Sequence, residues 1–237
     1  MNNKYPYFDG HCDTLSKLFK ENSSLNNSHY NVNISNLKKY SASAQIFAIY
    51  NNGKLAHKDI LSYISYLKKE CEKNCDFISF ASDSDAVTNN CNNNKISALL
   101  SIESLGSQKD LCPDNISEYK SRGVIMMSLC HNNDNSLCGG IGKNNKGLTL
   151  LGKKILREMQ KQKVILDVSH ISDKGFWEAT GEYSLPFTAS HSNSRSVCNN
   201  PRNLTDSQFV RLVKRGGLCG INFFPEFLSE KMQILIL

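Results

Sequence analysis

The run Phe8-Asp9-Gly10-His11-Cys12-Asp13 sets an imidazole and a carboxylate two residues apart. On an extended strand, residues i and i+2 face the same way, so His11 and Asp13 can offer a nitrogen and an oxygen to one ion. One His-x-Asp is a weak signal, but the pattern recurs along the chain. Glu103 closes the apolar run 96–102, His131 closes 123–130, His170 closes 164–169 and His191 closes 186–190. Three imidazoles and two carboxylates (His11, Asp13, Glu103, His170, His191) suit zinc or a similar borderline divalent ion. Five ligands are too many for one tetrahedral zinc with an open position, and they match two ions sharing a carboxylate. Such a pair would hold a bridging hydroxide at lowered pKa, a hydrolytic nucleophile made without Ser or Cys.

A single histidine at a strand end is commonly a hydrogen-bonded core residue. Four of the six histidines in that position are not explained that way. His29 and His57 fall in a polar loop and at a helix start and take no role. Asp167 supports the fifth strand or a ligand rather than binding metal itself. Cys12, between two ligands, points to the opposite side and packs.

The elements that must position these residues follow from periodicity. Tyr5 and Phe8 open a first strand, residues 41–50 form a second, and 96–102, 123–130, 164–169, 186–190 and 218–224 follow. Residues 57–75 form an amphipathic helix with Ile60, Ile64, Leu67 and Cys71 on one face. Thr149 caps a helix that presents Leu151, Ile155 and Met159, and Ser172 caps a short one. Thr205-x-x-Gln208 is a capping box opening a helix with Phe209, Leu212 and Val213 inward. Residues 16–40 read as a helical piece plus loop, and 89–94 and 132–147 as polar loops. Strands alternating with helices make parallel βα units, and continuous apolar strands make a sheet covered on both faces. Polar residues gathered where strands end predict a TIM-like (β/α)8 barrel with its site on one face. An open doubly wound sheet is the alternative. It would not easily bring five strand ends together, and no Gly-rich phosphate loop follows the first strand.

The totals bound the rest. The chain has 237 residues, enough for one large domain, with 40% hydrophobic residues. Its charge of +6, from 28 Lys+Arg against 22 Asp+Glu, is dispersed and reads as a solvated surface, which argues against nucleic acid as a partner. No export signal or membrane span is read, so the nine cysteines are expected to be reduced thiols in the cytoplasm.

The chain resembles the membrane dipeptidase (renal dipeptidase) family of zinc peptidases. The resemblance rests on residues 9–15 (Asp-Gly-His-Cys-Asp-Thr-Leu), 101–104 (Ser-Ile-Glu-Ser) and 127–131 (Met-Ser-Leu-Cys-His). It continues through Gly147-Leu148-Thr149, residues 165–170 (Ile-Leu-Asp-Val-Ser-His), 190–195 (Ser-His-Ser-Asn-Ser-Arg) and 201–204 (Pro-Arg-Asn-Leu). It implies a TIM-like barrel, with His11 and Asp13 on one zinc, His170 and His191 on the other, and Glu103 bridging. It also implies that His131 contacts the substrate, where a donor stabilises an oxyanion, and that Arg202 holds a terminal carboxylate with its guanidinium fork. The implied substrates are dipeptides, with tolerance for a C-terminal D-residue. Arg195 takes no role, and a homodimer is left open.

One departure from the family is expected to matter. Members continue into an eighth strand with a Gly-Ser-Asp-Phe-Asp-Gly-like motif, whose Asp shuttles the proton. Here the seventh strand is followed by residues 225–231 and an apolar end, 232–237. The expectation is a barrel lacking its last strand and helix unit or units, with unpaired edges that the apolar end patches or that promote association. Loss of a general acid–base group lowers turnover by roughly 10²–10⁴-fold. Two competing readings remain. One is another binuclear amidohydrolase, disfavoured because no strand ends in a bridging Lys. The other is a non-catalytic zinc-binding homologue.

Overall fold

The computed structural model describes residues 5–142 and 144–229; the apolar end read at 232–237 lies outside them. The chain falls into two compact units. The first runs to Glu103 and takes in Gln108–Met126; the second holds Ser104–Ser107 and the chain from Met127 onward.

The first unit carries β1 (Tyr7–Cys12), α1 (Thr14–Glu21), α2 (Ile34–Leu37), β2 (Ser43–Tyr50), α3 (His57–Lys73), β3 (Ile78–Phe80), α4 (Ser84–Asn92), β4 (Ile96–Glu103) and α5 (Asp114–Ser121). It ends within β5 (Val124–Ser128), at Met126. Its strands run parallel. β1 pairs β2 from Tyr7↔Ser43, β2 pairs β4 from Ala44↔Ser97 to Tyr50↔Glu103, and β3 pairs the start of β4. Every β4 residue is buried, as is β2 up to Tyr50. That is the pattern of a sheet covered on both faces. On one face Ala44, Ile46 and Leu99 cluster with Ala81 and Met126 and with Ala86 and Val87 of α4. Leu15, Leu18, Ile60, Ile64 and Leu67 are the buried faces of α1 and α3, which pack on one another.

The second unit carries α6 (Leu150–Lys161), β6 (Ile165–Asp167), α7 (Asp173–Glu182), β7 (Thr188–Ala189), α8 (Asp206–Lys214) and β8 (Leu218–Cys219). β6, β7 and β8 pair in parallel, through Asp167↔Thr188 and Thr188↔Leu218. Its core is Ile155, Leu156, Met159, Leu166, Phe176 and Phe187, the last two edge to face with centroids 5.9 Å apart. The three caps read from sequence form. Thr149 Oγ1 accepts the Gly152 N–H, Ser172 Oγ accepts the Gly175 N–H, and Thr205 and Gln208 exchange both bonds of a capping box.

Three local readings are corrected. The expected loop at 89–94 begins inside α4, because Asp83 accepts the Ala86 N–H at 2.8 Å and starts a helix that the Asn-rich composition hides. The three-residue β3 is too short to carry a period. The expected strand at 218–224 shortens to Leu218–Cys219, and Val213, read as inward, is 69% exposed. Among the described residues no helix is long and apolar enough to cross a membrane.

Candidate metal and substrate site

In the first unit, Asp9 organises the start of the site. Its carboxylate accepts the Tyr7 hydroxyl and the His11 N–H, both at 3.0 Å. The β1–β2 register shifts between Asp9 and Cys12, a bulge that re-aims the side chains between them. Asp13 lies beyond the strand as the N-cap residue of α1, without capping through its side chain. Strand alternation is therefore not what brings it to His11; the strand-to-helix turn does so. His11 Nε2 lies 3.7 Å from Asp13 Oδ1 and 3.8 Å from Glu103 Oε2. Glu103 is buried at the end of β4, and its carbonyl accepts the Asn51 N–H. Tyr50, its partner across the strands, has its hydroxyl pKa raised by burial and then by the charges of Glu103 and Asp13. Cys12 is buried, and burial pushes its thiol up to about 12, which fits the packing role read for it.

In the second unit, His170 and His191 are brought together. Their Nε2 atoms are 2.9 Å apart, and the ring of His131 lies 4.2 Å from that of His170, centroid to centroid. His170 takes φ +71°, a left-handed conformation that a residue with a Cβ holds at a cost of about 1–3 kcal/mol. Its carbonyl accepts the buried Cys130 thiol. The loop bearing His131 is folded tightly. A Cβ on Gly140 would stand 2.4 Å from the His131 carbonyl oxygen and 2.5 Å from that of Asn132.

The outer ring nitrogens are also engaged. His170 Nδ1 lies 2.8 Å from Asn132 Oδ1, an acceptor that favours the tautomer protonated at Nδ1. His191 Nδ1 lies 2.7 Å from Ser190 Oγ, whose own proton goes to the Asp167 carboxylate. The two Nε2 atoms face each other across 2.9 Å, a pair of nitrogens that one cation could join. Two nitrogens on one tetrahedral zinc, at about 2.0–2.1 Å each, stand about 3.3–3.4 Å apart. The 2.9 Å here, and the 3.7 and 3.8 Å around His11, lie within about half an ångström of that span. The donor set fits divalent metal.

Arg202 is buried in the second unit, with Nη1 donating to Ser192 Oγ at 2.9 Å and its guanidinium 5.9 Å from the Phe227 ring. Arg195 forks onto Asp173 at 2.7 and 2.8 Å, a structural pair consistent with its lack of an assigned role. His57 ties α3 to α5 through Tyr119 and Glu118, and His29 is exposed. Asp167 accepts the Ser169 and Ser190 N–H groups besides the Ser190 hydroxyl, so it supports the ends of β6 and β7. Sequence reasoning missed Asn132 and Ser190. Each sits beside a histidine in sequence, but an Asn or Ser next to a His carries no signal until the ring it holds is placed.

The family model for membrane dipeptidases (peptidase family M19) matches residues 1–236. Two dipeptidases of Schizosaccharomyces pombe that are themselves uncharacterised are similar. One is 34% identical over 139 residues, covering 57% of this chain and 34% of the relative. The other is 30% identical over 181 residues, covering 73% and 43%. The chain thus spans less than half the length of the curated relatives it matches. Among solved structures, a metallopeptidase from Rhodobacter sphaeroides bound to a phosphinate mimic of the dipeptide L-Ala-D-Ala matches with TM-score 0.82 at 20% identity. That match covers 96% of this chain and 76% of the other. A dipeptidase of family M19 matches with TM-score 0.84 at 21% identity, covering 96% and 75%. At these identities the structures establish the fold, the α/β TIM-like barrel. With a family model matched from end to end, the chain belongs to the membrane dipeptidase family, peptidase family M19.

Proposed function

We infer that this chain is the catalytic domain, or a part of it, of a zinc dipeptidase acting on dipeptides that include those with a C-terminal D-residue. The observation that carries this reading is the facing pair of Nε2 atoms on His170 and His191, 2.9 Å apart, each ring engaged at Nδ1 by Asn132 or Ser190. The proposed ligand set is His11 and Asp13 for one zinc, His170 and His191 for the other, and Glu103 for both. When bound, such a pair supplies Lewis acidity and an activated water at neutral pH. The chain's own residues do the rest. Arg202, desolvated and steadied by Ser192, pairs its fork with the substrate's terminal carboxylate. His131, whose ring lies tilted beside that of His170, donates to the oxygen that becomes negative as the peptide carbon turns tetrahedral. The solved relative bound to a phosphinate mimic of L-Ala-D-Ala supports a dipeptide with a C-terminal D-residue.

The test compares hydrolysis of a dipeptide with that of its C-terminal amide by the zinc-loaded chain. Cleavage of the free acid with little of the amide is expected. Equal cleavage of both would favour a broader amidohydrolase. Cleavage of neither, with zinc bound, would favour a zinc-binding homologue without turnover.

A further inference from the structure

We propose that Ser190 and Asp167 form a positioning pair that locks the tautomer of His191 and so creates its metal-binding lone pair. The proposal rests on the reading of His191 as a metal ligand, and it assigns these two residues a task beyond holding strand ends together. Three contacts carry it. Asp167, buried at the end of β6, accepts two backbone N–H groups, from Ser169 and Ser190 at 3.0 and 2.9 Å. Its second oxygen takes the Ser190 hydroxyl proton. Ser190 Oγ is then limited to accepting, and the atom 2.7 Å from it is His191 Nδ1. A hydroxyl can donate or accept, and donating its one proton to Asp167 removes the choice. His191 Nδ1 must therefore carry the proton, and Nε2 must present its lone pair toward His170. The His191 N–H donates to Ser169 Oγ at 3.2 Å, which fixes the backbone from which the ring hangs. A neutral acceptor, Asn132, serves His170; a carboxylate acting through a hydroxyl serves His191.

The geometry separates this role from a structural one. Ser190→Ala removes the acceptor for Nδ1 but leaves both backbone bonds to Asp167 in place. Asp167→Asn also leaves an oxygen for both backbone N–H groups. It adds a donor facing Ser190 Oγ, which frees the serine proton to turn toward His191 Nδ1 and drives the ring to the other tautomer. A strand-tying role alone predicts stability losses with unchanged metal affinity.

The experiment is a competitive zinc titration of the purified apo chain against a chromophoric chelator, with a thermal melt of each apo protein. Wild type, Ser190→Ala, Asp167→Asn and His191→Ala are compared. Expected are a loss of about 10–100-fold in affinity at one zinc for Ser190→Ala, and at least as much for Asp167→Asn, with both apo proteins still melting cooperatively. Unchanged affinity in a folded Ser190→Ala, while His191→Ala loses a zinc, overturns the positioning pair and leaves the zinc reading standing. No zinc on the wild type instead overturns the zinc reading. If either variant fails to fold, nitrogen-15 NMR of the apo wild type decides: a protonated Nδ1 on His191 supports the pair, and a bare Nδ1 overturns it.

Discussion

His170 and His191 face each other through Nε2 atoms 2.9 Å apart, and each has its other ring nitrogen committed to an acceptor. Two lone pairs at that distance repel unless a cation lies between them. If the pair holds zinc as proposed, folding of this unit is coupled to binding of the metal.

Zinc is expected to stabilise the folded chain. At a free concentration 100-fold above Kd, one site adds about 2.7 kcal/mol. Purified chain equilibrated with trace zinc should retain about two ions, and His170→Ala should lose one together with the thermal shift. Metal analysis and a melt with and without chelator check this. A well-folded chain that binds none would remove the ligand assignment.

Arg202 is expected to act in binding the free acid of the substrate. Arg202→Met should lower kcat/KM for a dipeptide by about 10–100-fold, the worth of a charge-assisted pair of roughly 1.5–3 kcal/mol. The slower hydrolysis of the C-terminal amide should barely change. Equal losses on both substrates would point to a packing role for the buried guanidinium beside Phe227.

Gly140 sits where a Cβ would press within 2.4–2.5 Å of two backbone carbonyl oxygens, those of His131 and Asn132. Gly140→Ala should destabilise the chain by about 1–3 kcal/mol and displace the loop. Because that loop bears both His131 and the Asn132 that holds His170, zinc affinity should fall with stability. A chemical-denaturation series read beside the zinc titration tests the coupling.

Asp173 is held below the usual carboxylate range, first by its fork to Arg195 and then, against the opposing effect of burial, by the Gln208 amide. A carboxyl with a lowered folded pKa contributes stability in full above its unfolded value of about 3.9, and loses it as pH falls through the lower folded value. Acid unfolding of Asp173→Asn should therefore show a flatter stability profile below about pH 4 than the wild type. The pair is partly exposed, so its contribution is screened and should shrink further in high salt. Parallel profiles for the two proteins would contradict this.

Much was legible without coordinates, for reasons that can be named. The apolar runs ending in Glu103, His131, His170 and His191 are local patterns. Burial of a parallel strand on both faces demands continuous apolar residues, and the change to a polar side chain marks the strand end. Thr149, Ser172 and Thr205 are legible as caps because a cap depends only on the next few backbone N–H groups. The order of motifs carried the resemblance to the family. The short β3, the helix begun by Asp83 and the exposure of Val213 were not legible. A three-residue strand has no measurable period, and the burial of a helix face is set by what packs on it.

The sequence by itself determined which residue types stand at the ends of strands, and so the class of chemistry open to the chain. Only the tertiary structure decided which partner each imidazole's Nδ1 meets, and so which tautomer its surroundings favour. A tautomer is chosen by the partner of the other ring nitrogen. Those partners are Asn132, which lies 38 residues from His170, and a serine whose own proton is claimed by Asp167, 23 residues before it. Hydrogen bonds of that separation leave no trace in local spacing, because they exist only once the chain has folded back to make them.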